Sequence, residues 1–239
     1  MATVINTADF PAIPVLFENE DLFAVDKPEG LAAIPERNPQ NISLLKILGE
    51  RLGRKLWVVH RLDKQVSGVI VFAKTAEAHR YLNRMFEQRR VHKTYLALVH
   101  GRIDAEGGMI TAALRRFGSG RMGEDAAGGK ACRTDYAVAA RLPDYTLLRV
   151  TPLTGRKHQI RAHLCGAGHP IVGDPLYGEK AVQKRFPRLM LHAVRLELRL
   201  PAGEEVCIES QLPQSFLAML HALGLPPEQA AFADLTTAG

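Results

Sequence analysis

The most constraining feature of this sequence is that short apolar runs typical of strands follow one another without a regular helix between them. A doubly wound parallel sheet needs a helix after nearly every strand, so this order excludes such a fold. The sequence predicts an α+β protein with a mixed, largely antiparallel sheet and packed helices. The predicted strands cover residues 22–25, 57–59, 69–73, 95–99, 132–139, 146–150, 189–198 and 206–210.

Four segments have the apolar spacing of helices, namely 42–52, 76–89, a stretch beginning after Thr154 and ending near Cys165, and 215–223. Thr75 is placed to cap the second of them. The glycine-rich stretch 116–130 predicts a mobile loop rather than a strand or helix. A length of 239 residues fits one large domain, here 14–224, with an N-terminal extension at 1–13 and a C-terminal tail at 225–239.

The chain is moderately basic, with a formal net charge of +6. Several groups of one sign are what a polyphosphate partner requires, although solvated lysines and arginines are the simpler interpretation. The charge pattern alone leaves both open. The basic groups are Arg51, Arg54 and Lys55; Arg89, Arg90, His92 and Lys93; Arg156, Lys157 and Arg161; and Lys180, Lys184, Arg185 and Arg188.

Three stretches combine a strand or turn with residues capable of chemistry. The first runs from Val59 to Gly68 between two predicted strands, and it places His60, Arg61 and Asp63 on a loop held between fixed elements. The second is Lys93-Thr94-Tyr95 at the start of a strand, and the third runs from Thr154 to His163.

These stretches resemble the motifs of the RluA-type RNA pseudouridine synthases, and the resemblance covers most of the chain. Each piece is short, but six pieces in order at compatible spacings are specific. One departure is Val66, where the family usually carries threonine. The matching pieces are Lys27-Pro28-Glu29-Gly30-Leu31; His60-Arg61-Leu62-Asp63 with Ser67-Gly68; Lys93-Thr94-Tyr95; Thr154-Gly155-Arg156 with His158-Gln159-Ile160-Arg161; Gly168-His169-Pro170-Ile171 with Gly173-Asp174; and Leu191-His192-Ala193.

The resemblance implies the pseudouridine synthase fold over 14–224, with a central active-site cleft, and an isomerase that needs no cofactor and no metal. Substrate and product contain the same atoms, so no hydride carrier is required. Asp63 is expected to supply the carboxylate, and the sequence leaves open whether it attacks C1′ or deprotonates C2′. By resemblance Arg161 is the cation that keeps this carboxylate ionised in a desolvated pocket. Tyr95 offers a ring that stacks on the uracil and a hydroxyl near the reacting atoms.

The resemblance also implies how the RNA is held. A stacked uridine has to be flipped out before it can react. Arg61 is expected to fill the vacated space, and Leu191 to form an apolar wall under the base. Arg156 and Lys157 are expected to bind the substrate, Lys157 through a phosphate. His60 is assigned to the same set of substrate-binding residues, where we expect it to hold the loop in place through a hydrogen bond.

Other interpretations of the same residues stay open. Asp63 is compatible with a turn cap, Arg161 with a surface ion pair and Tyr95 with a core aromatic. His158 and His163 invite a zinc hypothesis, although their spacing does not put both rings on one helix face. A non-catalytic RNA-binding protein and a hydrolase with an aspartate nucleophile are the competing functions.

The expected partner is structured RNA, with ribosomal RNA preferred and transfer RNA second. No apolar run reaches the length of a membrane span, and the three widely separated cysteines do not suggest a disulfide framework. The N-terminus lacks the pattern of a signal peptide. We therefore expect a cytoplasmic protein, and a monomer by default.

Overall fold

The computed structural model describes residues 12–36, 38, 41–118 and 120–225. The chain divides into two compact units that interleave in sequence. The first unit comprises Met1–Tyr95, Thr151–His158 and Leu191–Gln211, and the second comprises Leu96–Val150, Gln159–Met190 and Leu212–Gly239. The predicted terminal extension and tail, 1–13 and 225–239, lie almost wholly outside the described residues, so their bounds stay predictions.

The strands and helices alternate irregularly along the chain, as the sequence indicated. In chain order they are β1 (Val15–Glu18), β2 (Leu22–Lys27), α1 (Leu44–Leu52), β3 (Trp57–Val58), β4 (Ser67–Ala73), α2 (Ala76–Glu87), β5 (His92–His100), β6 (Gly107–Ile110), β7 (Leu114–Arg116), β8 (Met122–Glu124), β9 (Thr134–Arg141), β10 (Tyr145–Pro152), α3 (Gln159–Gly166), α4 (Lys180–Gln183), β11 (Leu191–Arg199), β12 (Glu205–Glu209) and α5 (Gln214–Ala222).

The sheet of the first unit is mixed. Its strands follow the order β1-β2-β4-β11, while β12 pairs with β11 and β3 pairs with β4. β4 runs antiparallel to β2 and parallel to β11. All seven residues of β4 are buried, which explains why this strand is a continuous apolar run rather than an alternating one.

Helix α2 covers this sheet, and its apolar side chains pack on β4. Ala78, Leu82 and Met85 recur at the spacing of one helix face and are buried. Burying a leucine or methionine in this way stabilises the fold by roughly 1.5–3 kcal/mol per side chain. The helix begins where the Thr75 hydroxyl accepts the backbone N–H of Ala78 at 3.0 Å, which satisfies one of the first-turn donors.

The start of β4 is fixed by a close backbone approach. Gly68 pairs with Ala193 of β11 and has a φ of +112°. A Cβ on Gly68 would collide with the backbone of Ala193, so only glycine allows the two strands to meet there. The loop that carries Asp63 therefore ends on a rigid strand junction.

In the second unit, β6 pairs antiparallel with β9, and β7 and β8 form a separate two-stranded hairpin. Residues of β8 and β9 lie against helix α3. A small apolar cluster of Leu114, Cys132, Ala162 and Tyr177 joins the hairpin to this helix. The described part of the chain contains no helix long and apolar enough to cross a membrane.

The secondary structure confirms the eight predicted strands and the helices predicted at 42–52, 76–89 and 215–223, with bounds shifted by a few residues. Two predictions were wrong. The segment 116–130 was predicted to be a loop, but it contains the strand β8. A three-residue strand between turns is too short to show a periodicity in the sequence. Helix α3 begins at Gln159 rather than just after Thr154, because His158 adopts a left-handed φ of 51°, which a continuing helix does not allow.

Candidate active site

Asp63 lies in the first unit, on the loop between β3 and β4. Its backbone carbonyl accepts the N–H of Val66 at 3.0 Å, which closes a turn, and Leu62 and Val66 are buried on either side. The carboxylate is 22% exposed, and its Oδ2 lies 3.7 Å from Nε2 of His158. A carboxylate held on a fixed turn and still reachable from outside is suited to act on a bound substrate.

The buried side chain of Lys27 holds this loop through hydrogen bonds to backbone carbonyl oxygens. Its side chain is fully buried, and its ammonium donates to the carbonyl oxygens of Pro28 at 2.7 Å, Leu31 at 2.8 Å and Lys64 at 3.2 Å. The last bond reaches the residue that follows Asp63. The segment Lys27–Leu31 therefore buttresses the Asp63 loop.

His60 braces the other side of the loop. Its Nε2 accepts the backbone N–H of Val71 at 3.0 Å, and its ring stacks on Phe86 with centroids 5.0 Å apart. Burial lowers the pKa of His60 to about 3, and the nearby charge of Lys93 adds to this effect. His60 is therefore neutral at physiological pH, so it contributes a hydrogen bond and a stacked ring but no positive charge.

Tyr95 lies close enough to Asp63 to be affected by its charge. Burial raises the pKa of Tyr95, and the negative charge of Asp63 raises it further. The hydroxyl therefore stays protonated across the physiological range. Burial lowers the pKa of Lys93, whose Nζ lies 4.0 Å from the position that a Cβ on Gly155 would take. The first unit thus brings Asp63, Tyr95 and His158 together.

The other predicted residues of the first unit have different degrees of exposure. Arg61 and Arg156 are exposed and Lys157 is half-buried, whereas Leu191 is buried at the start of β11. The next residue, His192, is fixed by the hydroxyls of Ser67 at 2.8 Å and Ser210 at 3.2 Å. The substrate-binding roles of Arg61, Arg156, Lys157, His60 and Leu191 stay predictions.

Arg161 lies in the second unit, on α3, and it is an interior residue rather than a surface one. Its guanidinium donates two hydrogen bonds of 2.7 Å to Asp174, and both side chains are almost completely buried. Asp174 also accepts the backbone N–H groups of Leu176 and Tyr177, and the Tyr177 ring centroid lies 5.2 Å from the guanidinium carbon. This two-pronged geometry holds the arginine rigidly.

Sequence reasoning missed Asp174 and Tyr177 as the partners of Arg161. A signal was available, because Gly173-Asp174 belongs to one of the matching stretches and a buried arginine requires an anion. It also considered His158 only as a metal ligand and a motif residue, not as a neighbour of Asp63. The pairing of Arg161 with Asp63 stays a prediction.

The two histidines of the zinc hypothesis have separate surroundings. His158 faces Asp63, whereas His163 lies 3.3 Å from Cys132 Sγ and 2.9 Å from both the Thr134 hydroxyl and the Ala112 carbonyl oxygen. Burial lowers the pKa of His163. Across the described ranges, no three His, Cys, Asp or Glu side chains gather in a way that could hold a metal ion.

Comparisons with known proteins agree with the motifs. The family model described as RNA pseudouridylate synthase matches residues 21–165. The ribosomal large subunit pseudouridine synthase D of Nitrosomonas europaea is 39% identical over 228 residues, which are 89% of this chain and 66% of that protein. The dual-specificity RNA pseudouridine synthase RluA of Vibrio vulnificus is 36% identical over 80% of this chain and 79% of its own length.

Among solved structures, human RNA pseudouridylate synthase domain containing 4 matches with a TM-score of 0.75 and 26% identity, covering 88% of this chain and 92% of that chain. The chain belongs to the RNA pseudouridylate synthase family, a family of isomerases that act on RNA. The α+β fold predicted from the strand order is confirmed. This chain spans about two thirds of the length of the Nitrosomonas relative.

Proposed function

We propose that this protein isomerises specific uridines in structured RNA to pseudouridine, with Asp63 as the acting carboxylate. One observation carries the proposal: a partly exposed carboxylate, on a loop braced by Lys27 and His60, lies close enough to Tyr95 for its charge to raise the pKa of that hydroxyl. Ribosomal RNA is the first candidate substrate and transfer RNA the second. The names of the relatives, one ribosomal and one of dual specificity, support this order of candidates.

The chemistry balances without an added reagent. The bond from N1 of uracil to C1′ breaks, the base turns, and a bond from C5 to the same C1′ forms. C5 loses a proton and N1 gains one, so no electrons and no other group enter or leave. A carboxylate near the sugar starts this sequence by attacking C1′ or by removing the proton on C2′. Asp63 is suited to both.

Tyr95 completes the reacting end of the site in this proposal. Its raised pKa means that the hydroxyl enters the reaction protonated, so it can donate a hydrogen bond or pass a proton but does not begin as a phenolate. Its ring offers a face for the extruded uracil. Arg161 is retained as the cation for Asp63 on the strength of the motif match, and its rigid attachment to Asp174 suits a fixed charge.

The charge distribution supports RNA as the partner. Residues 51–93 contain eleven Lys and Arg but three Asp and Glu, an excess larger than the net charge of the whole chain. Most of these cations are exposed, and the segment lies entirely within the first unit, as Asp63 does. Phosphate contacts of this kind are sequence-independent and weaken as salt rises. We therefore assign this segment to holding RNA near the reacting uridine.

The test is release of tritium from RNA labelled at C5 of uridine, because the proposed reaction expels that hydrogen. Unmodified ribosomal RNA and transfer RNA would be assayed separately, with and without EDTA, at an excess of enzyme. We expect release from at least one RNA at a rate that EDTA does not change, since a carboxylate-driven isomerisation needs no Lewis acid. No release from either RNA, or loss of activity that zinc alone restores, would contradict the proposal.

A further inference from the structure

A cavity lies in the second unit between the β7–β8 hairpin and helix α3, and we name it the hairpin cavity. Its volume is about 330 Å³, which is at the lower end of the range of small-ligand sites. The residues that line it do not include Asp63, Tyr95 or His158. The side chains that matter for binding are Phe117, Arg121, Met122, Glu124, Cys165 and Tyr177.

The walls of the hairpin cavity are held in place by specific contacts. The Tyr177 hydroxyl accepts the backbone N–H of Met122 at 2.9 Å, which attaches β8 to the second unit. A Cβ on Gly123 would lie 2.9 Å from the Phe117 ring, so glycine is what lets this ring lie across the strand. Below the hairpin, Asp125 accepts the N–H groups of Ala127 and Gly128.

The chemistry of these walls fits a flat aromatic ligand attached to phosphate. Phe117 is 42% exposed although it is large and apolar. The Arg121 guanidinium lies 5.1 Å from the Tyr177 ring centroid at the cavity. Outside the lining, the Arg115 guanidinium lies 5.2 Å from the Phe117 ring centroid and pairs with Asp125 at 2.7 Å. Unstacked RNA bases bind to aromatic faces and guanidinium planes of this kind, while nearby exposed arginines bind the backbone.

Glu124 adds a preference among the bases. Its carboxylate lines the hairpin cavity and lies against Gly166. A carboxylate accepts hydrogen bonds from an exocyclic amino group, as it does from cytosine. Uracil has no amino group, and the two carbonyl oxygens beside its N3–H repel a carboxylate.

We propose that the hairpin cavity binds an unpaired, amino-bearing base of the substrate RNA, that is adenine, cytosine or guanine, at a nucleotide other than the target uridine. This inference rests on the proposed function for the identity of the partner as RNA. The exposed Phe117 ring would receive the base, while Tyr177, which is 2% exposed, lines the cavity from the interior and contacts Arg161. The cavity therefore places a recognised base one side chain away from the candidate catalytic arginine.

Ultraviolet crosslinking at 254 nm tests the inference in the unaltered protein, because aromatic and cysteine side chains crosslink to bases that stack on them. The full chain would be irradiated with unmodified ribosomal RNA and with transfer RNA, then digested and analysed by mass spectrometry. We expect adducts on Phe117 or Cys165 that carry adenine, cytosine or guanine. Adducts confined to other parts of the protein would overturn the site, and uracil adducts at the cavity would overturn the preference.

Phe117→Ala provides the second measurement, with Met109→Ala as its control. Met109 is also a large exposed apolar residue of the second unit, but it lies on β6 and not at the cavity. Loss of one stacked base weakens binding roughly 5- to 150-fold, so Phe117→Ala should raise the Kd for RNA by that factor and remove the cavity adduct. Met109→Ala should leave both unchanged.

The rate of pseudouridine formation separates this inference from the proposed function. At saturating enzyme, Met109→Ala should form pseudouridine at close to the wild-type rate, so this control and the wild type report on the proposed function independently of the cavity. If Phe117→Ala binds RNA as tightly as the wild type, the hairpin cavity is not a base site. If the wild type itself forms no pseudouridine, the proposed function fails instead.

Discussion

Two carboxylates in this protein show how the same side chain serves different purposes. Asp174 is fully buried and accepts hydrogen bonds from the guanidinium of Arg161 and from two backbone N–H groups. Asp63 is 22% exposed, and its carboxylate lies 3.7 Å from His158. The loop that carries Asp63 is held by the side chains of Lys27 and His60. Asp174 is thus inaccessible to any substrate, whereas Asp63 can be reached by one.

The surroundings of each carboxylate explain the difference. The loop of Asp63 is fixed by the ammonium of Lys27, which bonds to the backbone at Lys64, and by the neutral ring of His60. The backbone of this loop is therefore held by groups other than the Asp63 carboxylate, whose Oδ2 lies 3.7 Å from Nε2 of His158. Asp174 instead fixes Arg161 through its own oxygens. Asp63 is thus partly exposed on a braced loop, whereas Asp174 is completely buried among the groups that its oxygens bind.

The largest expected effect comes from Arg161→Met. This change leaves Asp174 buried without its cation, and breaking such a pair costs roughly 3–5 kcal/mol unless the acid takes up a proton. We expect the free energy of unfolding in urea to fall by about that amount, and pseudouridine formation to be lost. Arg161→Lys should recover only part of each, because lysine keeps the charge but not the two-pronged geometry.

The double variant Arg161→Met with Asp174→Asn separates the two effects. Asparagine removes the stranded charge, so the double variant should be more stable than Arg161→Met alone. If Arg161 also serves the Asp63 carboxylate, turnover should remain lost in this stabilised protein. Recovery of turnover along with stability would mean that Arg161 acts only through the fold. Near wild-type turnover by Arg161→Met alone would remove its proposed catalytic role altogether.

Tyr95→Phe should have the next largest effect. It keeps the ring and removes a hydroxyl that the raised pKa of Tyr95 keeps protonated. If that hydroxyl moves a proton near the reacting atoms, the single-turnover rate should fall about 100- to 10,000-fold, while RNA affinity changes little. The control is Tyr81→Phe, on α2 of the same unit, which removes the hydroxyl that donates to the Leu200 carbonyl oxygen. This control should leave the single-turnover rate unchanged. An unchanged rate for Tyr95→Phe would limit Tyr95 to stacking.

The smallest expected effect is on stability as a function of pH. Free histidine has a pKa near 6.5, whereas that of His60 is lowered to about 3 in the folded protein. Between these values the unfolded chain binds a proton that the folded protein does not, so stability is lost as pH falls through this window. The loss attributable to this one group is roughly 1.4 kcal/mol per pH unit well below pH 6.5.

Comparison with His60→Gln isolates this contribution. Urea unfolding at pH 7 and pH 5 should show a smaller decrease for His60→Gln than for the wild type. His92→Gln, at an exposed position on β5, should decrease like the wild type. Equal decreases in all three proteins would contradict the neutral state assigned to His60, and with it the brace that this ring provides for the Asp63 loop.

The fold could be predicted from the sequence where a pattern was long enough to be unambiguous. The apolar run of β4 and the spacing of Ala78, Leu82 and Met85 on α2 were recognisable for that reason. Strand β8 was missed because its three residues lie among glycines. The start of α3 was misplaced because the left-handed conformation of His158 arises from its position in the structure, not from a local preference of histidine.

The candidate site shows the same division. The motifs predicted Asp63, Tyr95 and Arg161 as a group, and they included the Lys27–Leu31 segment, in which the hydrogen bonds of Lys27 hold the Asp63 loop. The partnership of Arg161 with Asp174 could not be derived from periodicity or composition, because thirteen residues separate them and an irregular segment lies between. Such pairings depend on the tertiary structure of the segment between the two residues.

The most direct test of the account is the single-turnover rate of Asp63→Asn on RNA that the wild type modifies, in a sample shown by mass spectrometry to be free of deamidation. Asparagine is nearly the same shape but is neither an anion nor a base. We expect no pseudouridine above background, with RNA affinity retained and a cooperative unfolding transition that shows the variant to be folded. Asp174→Asn, by contrast, should be strongly destabilised. Substantial pseudouridine formation by verified Asp63→Asn would contradict the assignment of Asp63 as the reacting carboxylate.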